Sequence, residues 1–461
     1  MRASWKKLAA VIGSVVLVPQ LAAATDLEAQ LQQMQERMAQ MEDQLQANHD
    51  QLEAANDRVA EQSVLIQKAG LEERESKSGL SGFLTDTNFY GWVDASFTQN
   101  IYNNHPDGQP GQNTRNALAG SYTSHPDSNT FAVDQVWFGM DKAPTEDSRA
   151  GFHIDLLFGK QARTYGGNAG GNGNDFMLFS AYANYMFPVA DGLTITAGKM
   201  PTIVGAEVVQ APWNFNITRG ILWDLQPVVE TGATANLQMG GFNALLGTAN
   251  SNGLAGDAFG TDVDFTKGKS IMAQLGWSND TFGAAVNYVG GKNNVAAPNG
   301  RFYKSNIVDI VLSADPTDAL SMWFNFDWIG HRVDPTFAAN NGRTDVFGFG
   351  LAGRYEVTDK IGLALRGEYQ FDRKGALIAG PLASSNIDTQ RWTVTLTGDY
   401  SFTENLMFRG EFRYDGSTFS DTPAGFNSDI YCGSSFSELG APCAGAHGQQ
   451  FAFLADIIYQ F

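Results

Sequence analysis

The chain has 461 residues, fifty of them glycine, with 12% aromatic and 17% charged residues and a formal charge of −19. Abundant aromatics exclude a disordered acidic chain, and a mean hydropathy of −0.22 gives no sign of an overall greasy protein. Few charges, against a usual quarter, with many Gly, Asn and Asp for turns suit one large β structure, although length alone would accommodate two or three domains.

Residues 1–24 read as a leader, not as fold. Arg2, Lys6 and Lys7 precede an apolar run from Leu8 to Leu21, and Ala22–Ala24 supply small residues for cleavage. A transmembrane anchor is the rival reading, but the run is too short to cross roughly 30 Å of hydrocarbon as a helix. Loss of these three cations takes the charge from −19 to −22.

Residues 25–67 contain neither Gly nor Pro. Leu27, Leu31, Met34, Met38, Met41, Leu45, Leu52, Val59 and Ile66 keep a heptad register, with Asn48, Ala55 and Gln62 at the remaining seam positions. This predicts a left-handed coiled coil, its polar seam residues setting register or oligomer state. An amphipathic helix packed on a domain is the alternative, but such helices carry a wider apolar stripe. Residues 68–87 then form a linker.

From residue 88 to 461 the period becomes two. In "FYGWVDASFTQN", Phe89, Gly91, Val93, Ala95 and Phe97 take one side, and Tyr90, Trp92, Asp94, Ser96 and Thr98 the other. Seven short connections alternate with eight long ones, which predicts an all-β transmembrane barrel of sixteen antiparallel strands. Trp277, Tyr288, Trp328, Tyr355, Tyr369, Trp392, Tyr400, Tyr414 and Tyr459 lie near strand ends on the apolar parity, as interfacial girdles require. A soluble sandwich would also alternate, but it needs no such girdle. The final "FAFLADIIYQF" ends in mid-pattern on Phe461. A last strand that pairs with the first has no use for a tail, and a terminal Phe resembles the signal read by outer-membrane assembly machinery.

Sixteen strands enclose an aqueous channel. The inward parity selects Asp94, His153, Asp155, Asp309, Asp327, Arg354, Arg366, Glu368, Asp399, Arg409, Glu411, Arg413 and Asp456 as candidate lining residues. The four arginines among them form a basic strip that would set up a transverse field against an acidic loop. Residues 201–230, the third long connection, are unusually apolar (Trp213, Phe215, Ile221, Leu222, Trp223). They predict a loop folded into the barrel as a constriction, presenting Glu207, Arg219, Asp224 and Glu230 to the pore; a latch between subunits is the alternative.

Cys432 and Cys443 sit close together among Gly, Ser and Pro. In an oxidising compartment they predict a disulfide pinning one loop, contributing roughly 3 kcal/mol or less. His447 alone does not complete a metal site. Asp257, Asp262 and Asp264 lack EF-hand spacing, and "YGGNAGGNGND" lacks the Lys-Ser/Thr ending of a phosphate loop. No metal, cofactor or nucleic-acid partner is predicted.

The stretch "GKMPTIVGAEVV…NFNITRGILW…PVVETG" resembles the OmpL-like second β-barrel porin family, through Gly198, Thr202, Gly205, Glu207, Asn214, Thr218, Arg219, Thr231 and Gly232. That family often has His before the TG; Glu230 stands here, so a role for that His does not carry over. "FYGWVDASF" looks like a first porin strand. A stalk before a sixteen-strand barrel is similar to trimeric substrate-preferring porins such as dicarboxylate channels. The resemblance implies a passive, trimeric pore for small hydrophilic solutes in the outer membrane of a Gram-negative bacterium, in contact with lipid and with its stalk in the periplasm. Two other classes compete. A tether would bind cell wall or a periplasmic partner through the coiled coil. A hydrolase would need a Ser–His pair, and His153 has Asp155 but no evident serine beside it.

Overall fold

The computed structural model describes residues 86–103, 125, 130–165, 175–250, 269–293, 303–332, 343–373, 389–419 and 449–461. The leader, the heptads, most of the linker and the Cys432–Cys443 pair fall outside them. Sixteen strands follow in chain order: β1 Asn88–Asn103, β2 Thr130–Lys142, β3 Ala150–Phe158, β4 Phe176–Phe187, β5 Leu193–Pro201, β6 Val229–Met239, β7 Phe242–Ala249 and β8 Ser270–Ser278. The second half comprises β9 Phe282–Asn293, β10 Tyr303–Thr317, β11 Leu320–Arg332, β12 Arg343–Thr358, β13 Ile361–Asp372, β14 Thr389–Ser401, β15 Leu406–Phe419 and β16 Gln449–Gln460. Each strand pairs with its sequence neighbours, and β1 pairs antiparallel with β16, so the sheet is a closed barrel.

Burial is inverted relative to a soluble protein. On β13, Leu363 and Leu365 are exposed while Ala364, Arg366 and Glu368 are buried. The same holds on β15 and β16, where Phe408, Phe412 and Ile457 face out and Arg409, Glu411, Arg413 and Asp456 are buried. A sandwich would bury the leucines; a lipid-facing barrel exposes them.

The seam closes on the last residue. Phe461 and Gly91 exchange two backbone hydrogen bonds of 3.0 Å. A β-carbon on Gly91 would lie 2.6 Å from the Phe461 ring, so the ring lies over the glycine. One bulge matters for the interior: β1 and β2 shift register at Asp94/Ala95, which leaves Asp134 extra. Asp134 and Gln135 are both fully buried as a result.

The third long connection, residues 202–228 between β5 and β6, is called loop 3. It carries two 3-10 turns, Ala211–Trp213 and Trp223–Leu225. A short helix, α1 (Lys160–Tyr165), follows β3. Loop 3 supplies the filling of the barrel through three apolar contacts. Val209, Ala211, Trp223 and Val228 join Trp92, Trp137, Phe179 and α1. Val204 and Leu225 pack on Met272, Val289, Ile307, Ile329 and Val346. Ile217 meets Ala452 and Leu454 of β16. At about 1.5–3 kcal/mol for each large side chain taken from water, these contacts hold the loop inside.

Candidate pore and its constriction loop

Apolar contacts keep loop 3 in the lumen, and polar ones fix where it sits. Thr218 is the hub. The Glu411 carboxylate on β15 accepts from the Ile217 amide (2.6 Å), the Thr218 hydroxyl (2.5 Å) and Thr397 of β14 (2.8 Å). Arg366 on β13 donates to Glu207 Oε1 (2.5 Å), to the Thr218 carbonyl (2.6 Å) and to Thr395 (3.1 Å). Glu207 also accepts the Gly220 amide at 2.6 Å, and Glu368 accepts the Ile221 amide. Arg409 pairs with Asp456 at 2.5 Å and donates to the carbonyls of Ala211 and Asn214, each at 3.1 Å. Arg413 donates to the Arg219 carbonyl at 2.6 Å and to Asp415 at 2.9 Å. Three of the four strip arginines, Arg366, Arg409 and Arg413, are therefore a cradle for backbone carbonyls of the loop.

On the opposite flank, side-chain amides and two carboxylates carry the contact. Asn243, Gln274, Asn287 and Asp309 form a ladder across β7 to β10, each donating to the next at 2.8, 2.7 and 3.0 Å. Asn325 on β11 donates to Asp309 at 2.9 Å. The ladder ends on loop 3: Gly205 donates to Asp309 (3.0 Å), and Gln226 donates to Asn325 (3.0 Å) and Asp327 (2.8 Å). A third anchor lies on β2, where Gln135 donates to the Val209 carbonyl (2.6 Å) and accepts the Ala211 amide (3.2 Å).

Loop 3 also braces itself. Asn214 pairs with both backbone groups of Val208, at 2.9 and 2.8 Å. Arg219 donates to the carbonyls of Val208 (2.8 Å), Ile217 (2.9 Å) and Val209. It is buried, turned into the loop instead of out to the lumen, which differs from the expectation drawn from sequence. Glu207 likewise faces Arg366 and Gly220 and is buried. Glu230 does not belong to the loop: it is the second residue of β6, opposite Met200 and buried. Asp224, in the second 3-10 turn, remains partly exposed. A folded-in loop meets protein before water, so Glu207 meets Arg366 of the wall and Arg219 meets the loop's own carbonyls.

The remaining inward residues divide by height. Asp94, Asp309, Asp327, Glu368, Arg366, Arg409, Glu411, Arg413 and Asp456 are buried at loop level. Toward the short-turn rim lie two water-facing groups. Arg354 chelates Asp399 (3.0 and 2.8 Å) and reaches Glu356 (2.9 Å). His153 bridges Asp141 (3.0 Å) and Asp155 (2.7 Å) and stacks on Tyr182 at 4.9 Å. Ser180 donates to Asp155 at 3.0 Å and not to the imidazole. Sequence reasoning missed Gln135, Gln226, Asn287, Asn325, Thr395 and Thr397, because it scored only titratable groups. Inward parity was the available signal for the five strand residues; Gln226, in loop 3, had none.

Residues 86–461 match the family model "Putative beta-barrel porin-2, OmpL-like". The chain belongs to that family. No curated protein matches this OmpL-like porin in sequence. Its fold is similar to that of the outer membrane channel DcaP of Acinetobacter baumannii, with TM-score 0.51, 12% identity, and 81% of this chain and 97% of that chain covered. An anion-selective porin from Comamonas acidovorans gives TM-score 0.50 and 13% identity over 81% and 99%. The trimer form of OmpT from Vibrio cholerae gives TM-score 0.50 and 13% identity, also over 81% and 99%. These likenesses concern the fold alone.

Proposed function

We propose that this porin is a passive channel for small hydrophilic solutes in the outer membrane, narrowed by loop 3. The observation that carries the reading is the closed barrel of sixteen strands with leucines and phenylalanines outside and polar side chains inside. Such a sheet has no exposed edge and needs lipid around it. The wall candidates for water contact are the residues left uncovered at the short-turn rim, Arg354 with Glu356 on one side and His153 with Asp141 on the other. We place that rim toward the periplasm, and we keep the leader 1–24, the coiled coil 25–67 and the linker 68–87 as the segments that precede β1 in sequence. The Cys432–Cys443 disulfide would brace the last long loop. No catalytic step is assigned.

Assembly as a homotrimer is part of the reading. One side of the barrel is low: β3, β5 and β8 have nine residues and β7 eight, with β4 (twelve) and β6 (eleven) between them, against sixteen in β1 and β12. At about 3.3 Å per residue and a tilt near 40°, these four short strands rise only about 20–23 Å. That falls short of an apolar band of about 25 Å, so contact with other copies suits them better than contact with lipid.

Planar-bilayer recording tests the channel. Purified protein should give stepwise, ohmic conductance in KCl, and a salt gradient with small acids and sugars should define what passes. Insertion without conductance, with a phenotype that disappears on deleting residues 25–70, would favour the tether reading.

A further inference from the structure

Near the short-turn rim, loop 3, the ends of β1, β2 and β16, and His153 of β3 line an open cavity of about 400 Å³. Its wall includes Tyr90, Trp92, Trp213, Asp141, His153 and Gln460. Trp213 is 57% exposed, an unusual state for an indole on a loop whose other apolar residues are covered. Its ring centroid lies 5.8 Å from Trp92 and 6.3 Å from Tyr90, so three aromatic faces converge at one corner. Carboxylates supply the charge there. Asp155 is buried and saturated by Tyr90, Trp137, Ser180 and His153. Asp141 is different: its side chain is 37% exposed, and His153 occupies only Oδ1. Among the described residues, neither Lys nor Arg lines the cavity. Even a protonated His153 leaves itself, Asp141 and Asp155 at a net −1.

We propose that this cavity is a subsite for small organic ammonium ions, a substrate class for the pore proposed above, on which this inference rests. An alkylammonium carries its charge on a greasy shell. The shell matches an exposed indole face, and the charge is drawn both to the ring quadrupole and to a carboxylate. Asp141 would sit against the cation, and Trp213 and Tyr90 would form the platform. A neutral sugar also stacks on indole, but it gains nothing from a net negative wall and must share Asp141 with water.

The test uses full-length protein in detergent, titrated calorimetrically with tetramethylammonium chloride, and with tert-butanol as a neutral compound of similar shape. Tetramethylammonium should bind, and tert-butanol should not. Asp141→Asn and Trp213→Leu should each weaken binding by about fivefold to tenfold. In bilayers, tetramethylammonium should reduce the KCl current from one side only, with the same loss in the two variants. Equal binding of both compounds, or wild-type affinity in both variants, overturns the proposal. Heat-modified gel mobility verifies that the variant barrels are folded. Calorimetry needs no conduction, so a protein that binds without conducting removes the pore and keeps the subsite. One that conducts without binding removes the subsite alone.

Discussion

A β-carbon on Gly220 would stand 1.9 and 2.0 Å from the two carboxylate oxygens of Glu368. The glycine is required there for space: its amide already binds Glu207, and the next amide binds Glu368. Gly205 is required for two reasons. Its φ is +94°, which side chains avoid, and a β-carbon would meet Gln226 Oε1 at 2.0 Å. Gly367, by contrast, has nothing within 4 Å of its missing β-carbon. Gly220→Ala should therefore push Glu368 off the Ile221 amide and leave buried polar groups without partners. Each such group costs about 1–3 kcal/mol. The expected outcome is a folded barrel whose loop 3 is cut faster by protease and whose open-channel current is noisier, while Gly367→Ala behaves as wild type. Equal protease resistance in the two variants would refute the reading of Gly220. The same close packing explains why family-motif positions cluster here. Gly205, Glu207, Asn214, Thr218 and Arg219 all make contacts that seat or brace loop 3.

Loop 3 as an element is held by two kinds of force with different consequences. Apolar burial favours the folded-in state wherever the loop lies. The ion pair Arg366–Glu207 and the Arg409 bonds fix its position, since a buried pair gains little net after desolvation. Removing one partner is another matter, costing roughly 3–5 kcal/mol because a charge is left buried alone. Sequence alone predicts that replacing Arg366 and Arg409 with Ala shifts the reversal potential toward cations. The structure adds a second effect. Both guanidiniums hold loop carbonyls, so the double variant should also release the loop and raise conductance. Two cations lost, with Glu207 and Asp456 left unpaired, give the sign of the selectivity shift. A shift at unchanged conductance would mean that the arginines line water and do not seat the loop. This contrast shows how far the site was legible. Strand parity told which side chains point inward, and the apolar content of "IVGAEVV" and "ILWDL" told that the connection folds in. Parity does not tell whether an inward charge meets water or protein, since that depends on where a loop from β5 lands on β13 and β15. Glu230 was misplaced because "PVVETG" reads as loop packing, whereas pairing with β5 begins at Val229. The amide ladder was invisible because Asn and Gln on an inner face look like ordinary wet lining.

For the whole molecule, closure was the most legible feature, because a period of two and alternating turn lengths leave few other ways to bury strand edges. Wall height was legible only once the strands were bounded, and it decides how copies can meet. Across the outside of the low wall, Ala183, Ala197 and Ala233 lie opposite one another on β4, β5 and β6, and all three are exposed. That row is a flat strip beside bulkier exposed side chains of the same wall, Ile195, Leu246, Ile271 and Leu275, whereas the tall wall presents Leu351, Leu363, Leu365, Val394 and Leu396. Bulky side chains suit fluid lipid, whereas a flat row of methyl groups lets another rigid sheet approach closely and gain dispersion contacts along its length. A threefold ring also needs a heterologous contact that closes, and a low wall facing the threefold axis meets that need. Ala197→Trp separates the two environments. In lipid the indole is tolerated at little cost; against a packed neighbour it forces the sheets apart, and overpacking costs about 1–3 kcal/mol per copy. The variant should therefore run as a single chain in detergent light scattering where the proposed wild-type trimer should run as three, and it should lose three-step closure in bilayers while each barrel still conducts. Val394→Trp, on the tall wall, should leave assembly unchanged. A trimer that survives Ala197→Trp and dissociates on Val394→Trp would place the contact on the opposite side of the barrel.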